Sequence, residues 1–176
     1  MFFIYILCAA VVLGFLLYRR LQRGAYLLGG VMEAAPQVRA AAKRLGFHAQ
    51  PNVHSIVSIH TADLCVAAMA SAFAQMDDHG APVDGVLTAS LQKRLQADPQ
   101  AAADMTVLGG WLVEQGGGVT PAFERLTNRL KQLDHGPYFD KLMRVMGDVT
   151  AAGTKGMPSA RQADAMGALA RIFRTA

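Results

Sequence analysis

Apolar residues recur at intervals of three and four positions along most of the chain after residue 60. Such spacing places apolar side chains on one face of an α-helix, whereas a half-buried strand requires strict alternation, which no comparable stretch shows. The sequence therefore predicts an all-α fold, a compact bundle of about six helices. The six apolar stripes are Val66, Met69, Phe73 and Met76; Leu87, Leu91 and Leu95; Met105, Leu108 and Leu112; Phe123, Leu126, Leu130 and Leu133; Phe139, Leu142, Met146 and Val149; and Met166, Leu169 and Phe173.

Residues typical of helix boundaries separate these stripes. Asp98-Pro99 and Thr120-Pro121 each place a capping side chain before a proline, which is well tolerated at the first helical position. Ser159, with Gln162 three residues later, has the spacing of a capping box. These signals predict short connections between helices that pack antiparallel to their neighbours.

The N-terminal segment differs from the rest, because residues 1–17 contain no charged side chain. Tyr18, Arg19 and Arg20 follow directly. A helix that crosses a bilayer needs about 20 predominantly apolar residues, with a range of about 17–25. We therefore predict that residues 1–18 form a transmembrane anchor. Since basic residues collect on the cytoplasmic side, the N-terminus should lie outside a bacterial inner membrane and the helical domain should be cytoplasmic.

Three other interpretations of this segment are weaker. A secretory signal peptide carries its positive charge before the apolar stretch and a small-residue cleavage site after it, and here the order of charge is reversed. A lipoprotein signal needs a small residue before its cysteine, but Leu7 precedes Cys8. A buried core helix of a soluble domain would be expected to show a polar face, which this segment lacks.

Residues 19–50 form a basic segment next to the predicted anchor. Residues 1–50 carry a net charge of +5 and the remainder −1, so a domain with the basic face of a nucleic-acid binder is not indicated. A short amphipathic helix is predicted from about Pro36 to Leu45, with Gly46 at its end. It would either contact anionic lipid headgroups or serve as a solvated linker. The candidate membrane-surface residues are Arg19, Arg20, Arg23, Arg39, Lys43 and Arg44.

Two segments share the layout of a helix, a break containing glycine and a second helix: ADLCVAAMASAFAQMDDHGAPVDGVLTASLQKRL from Ala62, and FDKLMRVMGDVTAAGTKGMPSARQADAMGALARIF from Phe139. This layout resembles the TerB-like (tellurite-resistance) family, an all-helical fold of two related halves, over roughly residues 55–176. The resemblance implies a TerB-like helical domain, to which we assign residues 51–176. A membrane-anchored DnaJ-like co-chaperone is similar in architecture, but no His-Pro-Asp motif is present, so co-chaperone activity is not implied.

The resemblance also implies a metal site, because TerB-like proteins often present acidic residues from both turns. Asp77 and Asp78 stand at the first turn, but the second, Ala151-Ala152-Gly153, has alanine where an aspartate is expected. Hard cations need six or more oxygen ligands, or fewer supplemented by water. Asp77 and Asp78 are therefore a candidate divalent-metal site, with turn and helix-cap residues as the alternative interpretation.

Motifs of other chemistry are not evident. His60 and Asp63 could share a helix face, but Cys65 points elsewhere, and zinc would need further ligands at suitable spacing. The Gly116–Gly118 loop lacks the Lys-Ser/Thr of a phosphate-binding loop, and there is no Gly-x-Ser-x-Gly motif. No cofactor or enzymatic activity is predicted.

The sequence thus favours a membrane-anchored, non-enzymatic protein-interaction module. Its partner would be another membrane protein complex, with an accessory or assembly subunit of a respiratory-type complex as the most concrete form. The alternatives are a divalent-metal-binding or stress-response sensor that uses Asp77 and Asp78, and a sensor of anionic lipid that uses the basic segment.

Overall fold

The computed structural model describes residues 34–77, 84–134, 136–153 and 156–174. Within these ranges all regular secondary structure is α-helical and no strand is present, which confirms the all-α prediction. The predicted anchor, Arg19, Arg20, Arg23 and Asp78 lie outside the described residues. None of the helices inside those ranges is both long and apolar enough to cross a membrane. The described helices are α1 (Pro36–Arg44), α2 (Ala62–Gln75), α3 (Asp84–Leu95), α4 (Pro99–Gln115), α5 (Val119–Leu133), α6 (Pro137–Ala152) and α7 (Ala160–Arg174).

Helix α2 is the centre of the bundle. It is in contact with α3, α4, α5 and α6, and every residue from Leu64 to Phe73 is buried. The sequence predicts a single apolar stripe on this helix, and the four stripe residues are buried as predicted. The other faces are buried as well, because they carry mostly alanine, which allows neighbouring helices to approach on every side. A helix that is apolar all round belongs in the core.

The closest approach between α2 and α4 occurs at Gly109. A Cβ atom at this position would lie 2.9 Å from Ser71 Oγ and 3.2 Å from both the Ala67 carbonyl oxygen and Ala68 Cα. Two of these three neighbours are backbone atoms, which cannot move without shifting α2. The absence of a side chain at Gly109 therefore sets the distance between these two helices.

Helix α1 belongs to the same core. Val38, Ala41 and Ala42 are buried, and α1 packs on α4. Beyond Gly46, which adopts a positive φ of 65°, Phe47 meets Trp111 edge-to-face with ring centroids 6.3 Å apart. The packed helical body therefore begins before residue 51, because the apolar face of α1 is covered by α4.

Two ion pairs join helices that are distant in sequence. Arg44 on α1 donates two hydrogen bonds of 2.6 Å to Asp104 on α4. On the other side of the bundle, Arg94 of α3 makes bonds of 2.9 and 2.8 Å to Asp148 of α6, and Ser90 adds a third of 2.7 Å. These hydrogen bonds, led by those from Arg94, lower the pKa of Asp148 to about 2. Both pairs have the two-pronged geometry that makes arginine–carboxylate contacts specific.

The helix starts agree with the sequence in part. The Asp98 side chain accepts a bond of 2.9 Å from the Ala101 N–H, so the predicted N-cap is confirmed. The prediction for Thr120 is wrong, because α5 begins at Val119, two residues before Pro121, and Gly118, with φ of 104°, occupies the N-cap. That conformation is accessible to glycine at little cost.

Helix α7 is attached to the bundle through individual side chains. Leu169 is buried, and Phe173 stacks on Phe139 of α6 with ring centroids 5.0 Å apart. Lys131 of α5 reaches the Ile172 carbonyl oxygen near the C-terminal end of α7, at 3.4 Å.

Cys65 is fully buried near the middle of the bundle. Its thiol lies 3.4 Å from the Leu126 carbonyl oxygen, and burial raises its pKa to about 12. A thiol in this state is not nucleophilic at neutral pH.

Candidate functional site

Described residues of the two turns that carry the TerB-like resemblance lie close together. Asp77 directly follows Met76, the C-cap residue of α2, and is half-buried. Its Oδ2 lies 3.3 Å from the position that a Cβ atom would take at Gly153, the residue after α6. A larger residue at position 153 would thus compete with the Asp77 carboxylate for space.

The N-terminus of α7 closes this corner through a capping box. The Ser159 N–H donates to Gln162 Oε1 at 2.9 Å, and the Gln162 N–H donates to Ser159 Oγ at 3.2 Å, as the sequence predicts. The buried Gln162 amide also donates to the Phe73 carbonyl oxygen at 3.0 Å. One side chain therefore caps α7 and adds a second donor to the Phe73 carbonyl oxygen, which also accepts a hydrogen bond of 3.2 Å from the Met76 N–H.

A complete metal site is not assembled by the described residues. Within residues 34–77, 84–134, 136–153 and 156–174, no three His, Cys, Asp or Glu side chains are close enough together to hold an ion. Asp78, the second residue of the candidate pair, lies outside these ranges. The use of Asp77 and Asp78 as metal ligands stays a prediction.

The basic residues of α1 have different surroundings. Arg39 and Lys43 are exposed and available to a membrane surface, whereas Arg44 is held by Asp104. Contact between this segment and lipid stays a prediction.

The residues around His60 do not converge on one site. Asp63 lies near Tyr138 of α6. The pKa of Tyr138 is raised mainly by burial and, to a smaller extent, by the Asp63 carboxylate. His60 is exposed and Cys65 is buried, so these two side chains face different environments.

Among the histidines that the structure describes, His54 has defined hydrogen-bond partners within the protein. It lies in the loop between α1 and α2, where its Nδ1 accepts a hydrogen bond of 3.2 Å from the Ile56 N–H. Its Nε2 contacts the guanidinium of Arg125 on α5. Burial and the positive charge of Arg125 lower the pKa of His54. The pair holds the loop against α5.

An open groove between α1, α3 and α4 is the feature that the sequence analysis missed. Its volume is about 750 Å³, which falls within the range of about 300–1,000 Å³ common for ligand-binding pockets. The wide opening to solvent distinguishes it from an enclosed cavity. Its lining consists of Ala34, Ala35, Val38, Gln75, Asp84, Thr88, Ala103, Thr106, Val107, Gly110, Trp111 and Glu114.

The charged side chains that line the groove are both acidic. Asp84 stands in the first turn of α3, and Glu114 in the last turn of α4. Both are exposed, and no basic residue contributes to the described lining. A carboxylate at a helix C-terminus is disfavoured by the negative end of the helix dipole. The charge of Glu114 therefore does not stabilise α4.

Two threonine hydroxyls cross the groove between α3 and α4. Thr88 Oγ1 and Thr106 Oγ1 are 3.0 Å apart, and they also lie 2.8 and 3.0 Å from the backbone carbonyls of Asp84 and Ala102. Each hydroxyl has one hydrogen to donate, so two donors serve three contacts. When both hydroxyls bond to the backbone, their lone pairs are available as acceptors.

One sequence signal could have indicated this groove. Ala103, Val107 and Gly110 lie at helical spacing on α4 and form a stripe of small residues beside the strongly apolar face. Small side chains on the outer face of a packed helix leave a depression when neighbouring helices flank them. The periodicity of the larger residues concealed this stripe.

Comparison with known proteins identifies no relative. No protein-family model matches the chain, and neither a curated protein nor a solved structure is similar to it at a significant level. The resemblance to the TerB-like family, and the two related halves that it implies, therefore stay predictions.

Proposed function

We propose that this chain is a membrane-tethered, non-enzymatic protein-interaction module, most concretely an accessory or assembly subunit of an inner-membrane complex. The observation that carries the proposal is the open groove, whose lining includes Ala34 and Ala35. These are the first residues that the structure describes, and the charge-free segment lies only a short distance before them in the chain.

The distance between the proposed anchor and the groove is limited by the chain itself. Residues 19–33 separate the two, and a fully extended segment of this length spans at most about 50–60 Å. A groove held this near to a membrane meets membrane-bound partners at a high effective concentration. A modest binding surface would then be sufficient for a stable complex.

Purification from membranes tests this proposal. The tagged full-length protein would be extracted with a mild detergent, and co-purifying proteins would be identified by mass spectrometry. We expect a membrane complex of fixed stoichiometry. The matched control is a chain that starts at Met32, which keeps all described residues but lacks the apolar segment, and we expect it to leave the membrane fraction on alkaline washing. Recovery of the full-length protein without a stoichiometric partner would contradict the proposal.

The alternative, a divalent-metal-binding or stress-response sensor, is favoured by the proximity of Asp77 to Gly153. Isothermal calorimetry with Mg²⁺, Ca²⁺, Mn²⁺ and Zn²⁺ tests it on the full-length protein. Stoichiometric binding that disappears in Asp77→Asn but persists in Asp140→Asn, a change at an exposed residue of α6, would favour the sensor. No binding heat with any of these cations would remove it.

A further inference from the structure

We infer that the groove between α1, α3 and α4 binds a polypeptide segment of a partner membrane protein that inserts a lysine or arginine between small apolar contacts. This inference rests on the proposed function and specifies the chemistry of the partner. It starts from the polar groups that the groove offers.

The groove presents acceptors that lack an internal cation. The Asp84 and Glu114 carboxylates are not engaged in any ion pair found among the described residues. Thr88 and Thr106 have more acceptor capacity than hydrogens to donate. A ligand that complements this lining must supply N–H donors and positive charge, as lysine and arginine side chains do.

The position of Glu114 also favours a bound cation. Its carboxylate lies in the last turn of α4, which contains no basic residue. The partial negative charge at this helix end repels the carboxylate. A cation bound beside Glu114 would be attracted by the side chain and by the helix dipole together, so the two effects that oppose each other in the free protein would both favour binding.

The apolar part of the lining suits the aliphatic portion of a basic side chain. Ala103, Val107 and Gly110 form a shallow strip on α4 next to Trp111. Lysine and arginine commonly lay their methylene groups along such surfaces while the charged end contacts a polar group. The groove is wide open to solvent, whereas small-molecule sites usually bury most of the ligand surface, so a polypeptide segment fits better than a small cation.

The proposed location identifies the source of such a segment. Cytoplasmic loops of membrane proteins carry an excess of lysine and arginine close to their transmembrane helices. A cytoplasmic groove tethered near the membrane would encounter these loops. The basic residues of this same chain, Arg19, Arg20 and Arg23, are the competing occupant that the experiment must separate.

A peptide-binding assay tests the inference on the full-length protein in nanodiscs of phosphatidylcholine, whose lipid carries no net charge. The probes are a capped peptide of repeated Ala-Leu-Ala-Lys and its counterpart with glutamate in place of lysine. Trp111 is the only tryptophan in the chain and lines the groove, so its fluorescence reports occupancy, with calorimetry as the second readout. We expect saturable binding of the lysine peptide, weakened by salt, and no binding of the glutamate peptide.

Charge-removing variants locate the binding site. The Asp84→Asn/Glu114→Gln double variant should weaken binding by about twofold to thirtyfold, as expected for the loss of two exposed ion pairs. Glu124→Gln/Asp140→Asn removes two exposed carboxylates outside the groove and should bind like the unaltered protein. Glu114→Gln alone leaves the first turn of α3 intact, so a decrease in affinity in this variant cannot be attributed to misfolding of that helix.

Three results would overturn the inference: equal affinity of the groove variant and the unaltered protein, binding of both peptides, or an increase in affinity when Arg19, Arg20 and Arg23 are replaced by serine. The last would show that the chain's own basic segment occupies the groove.

The outcomes also separate the groove inference from the proposed accessory-subunit role. Binding through Asp84 and Glu114 in a protein that purifies without a partner supports the groove chemistry and contradicts the accessory-subunit role. If the protein purifies in a stable membrane complex but its groove binds no peptide, the accessory-subunit role is supported and the groove chemistry is contradicted.

Discussion

Gly109 shows how one missing side chain determines the distance between two helices. Replacement by alanine would place a Cβ atom within 3.2 Å of the α2 backbone, and overpacking of this kind costs about 1–3 kcal/mol. We expect Gly109→Ala to lower the free energy of unfolding by about that amount in urea denaturation. The neighbouring Gly110 is the control, since a Cβ atom there meets nothing within 4 Å. Gly110→Ala should be neutral or stabilising by up to about 1 kcal/mol, and equal losses at both positions would contradict the packing described.

His54 makes the fold sensitive to mild acid. Burial and Arg125 lower its pKa in the folded state, so below the ordinary value of about 6.5 the unfolded chain takes up a proton that the folded chain resists. The contribution of neutral His54 is therefore present above about pH 6.5 and decreases as the pH falls further. We expect the melting temperature to fall between pH 7.5 and 5.5, and His54→Gln to reduce this dependence.

The exposed His60 provides the control for this experiment. His60→Gln should retain the pH dependence of the unaltered protein, because this change leaves the contact between His54 and Arg125 intact. If both histidine variants change the dependence equally, the contact between His54 and Arg125 is not its origin.

At the scale of helices, the capping box of α7 and the apparent cap of α5 can be compared directly. Ser159→Ala should destabilise the protein by about 0.5–2 kcal/mol, because Ser159 and Gln162 satisfy each other's backbone groups. Thr120→Ala should have almost no effect, since α5 begins at Val119 and Gly118 occupies its N-cap. Thermal unfolding of the two variants measures the difference, and a loss of stability in Thr120→Ala similar to that in Ser159→Ala would place the helix start at Thr120 after all.

The link between α3 and α6 depends on an ionised Asp148. Its pKa of about 2 is below the ordinary value of about 3.9, so its contribution is present above about pH 4 and is lost as the pH falls towards 2. We expect Asp148→Asn to lower the melting temperature at pH 7 and to have little effect near pH 2. A difference that does not change with pH would mean that Arg94 and Ser90 do not act through the charge of Asp148.

Helix periodicity and capping chemistry made most of these helices predictable. The stripe of α5 and the N-cap at Asp98 follow from residues that act locally, so the sequence is sufficient to identify them. The complete burial of α2 and the groove beside Gly110 depend on which helices become neighbours, and no local pattern records that. The Asp77 turn was found only through its resemblance to a known family, and its approach to Gly153 required the assembled bundle.

For the whole molecule, the packing of α1 on α4 predicts that α1 unfolds together with the rest of the bundle. A chain that starts at residue 51 would lose Val38 and Phe47 from the core, at about 1.5–3 kcal/mol for each large apolar side chain, and would leave the buried Asp104 without Arg44. Against a typical total stability of 5–15 kcal/mol, this loss is severe. We expect the fragment 34–176 to unfold cooperatively and the fragment 51–176 to melt at a much lower temperature. Equal melting temperatures would show that α1 is an appendage.

The burial of Cys65 makes the chain a reporter of its own unfolding. In the native bundle the thiol is inaccessible and its pKa is too high for reaction, so a brief pulse of an alkylating reagent at neutral pH would modify only molecules in which α2 has become exposed. Mass spectrometry of the peptide that contains Cys65 would give the unfolded fraction without purification. Because this readout needs no optical signal, conformational stability could be measured in intact membranes, with and without whatever occupies the groove.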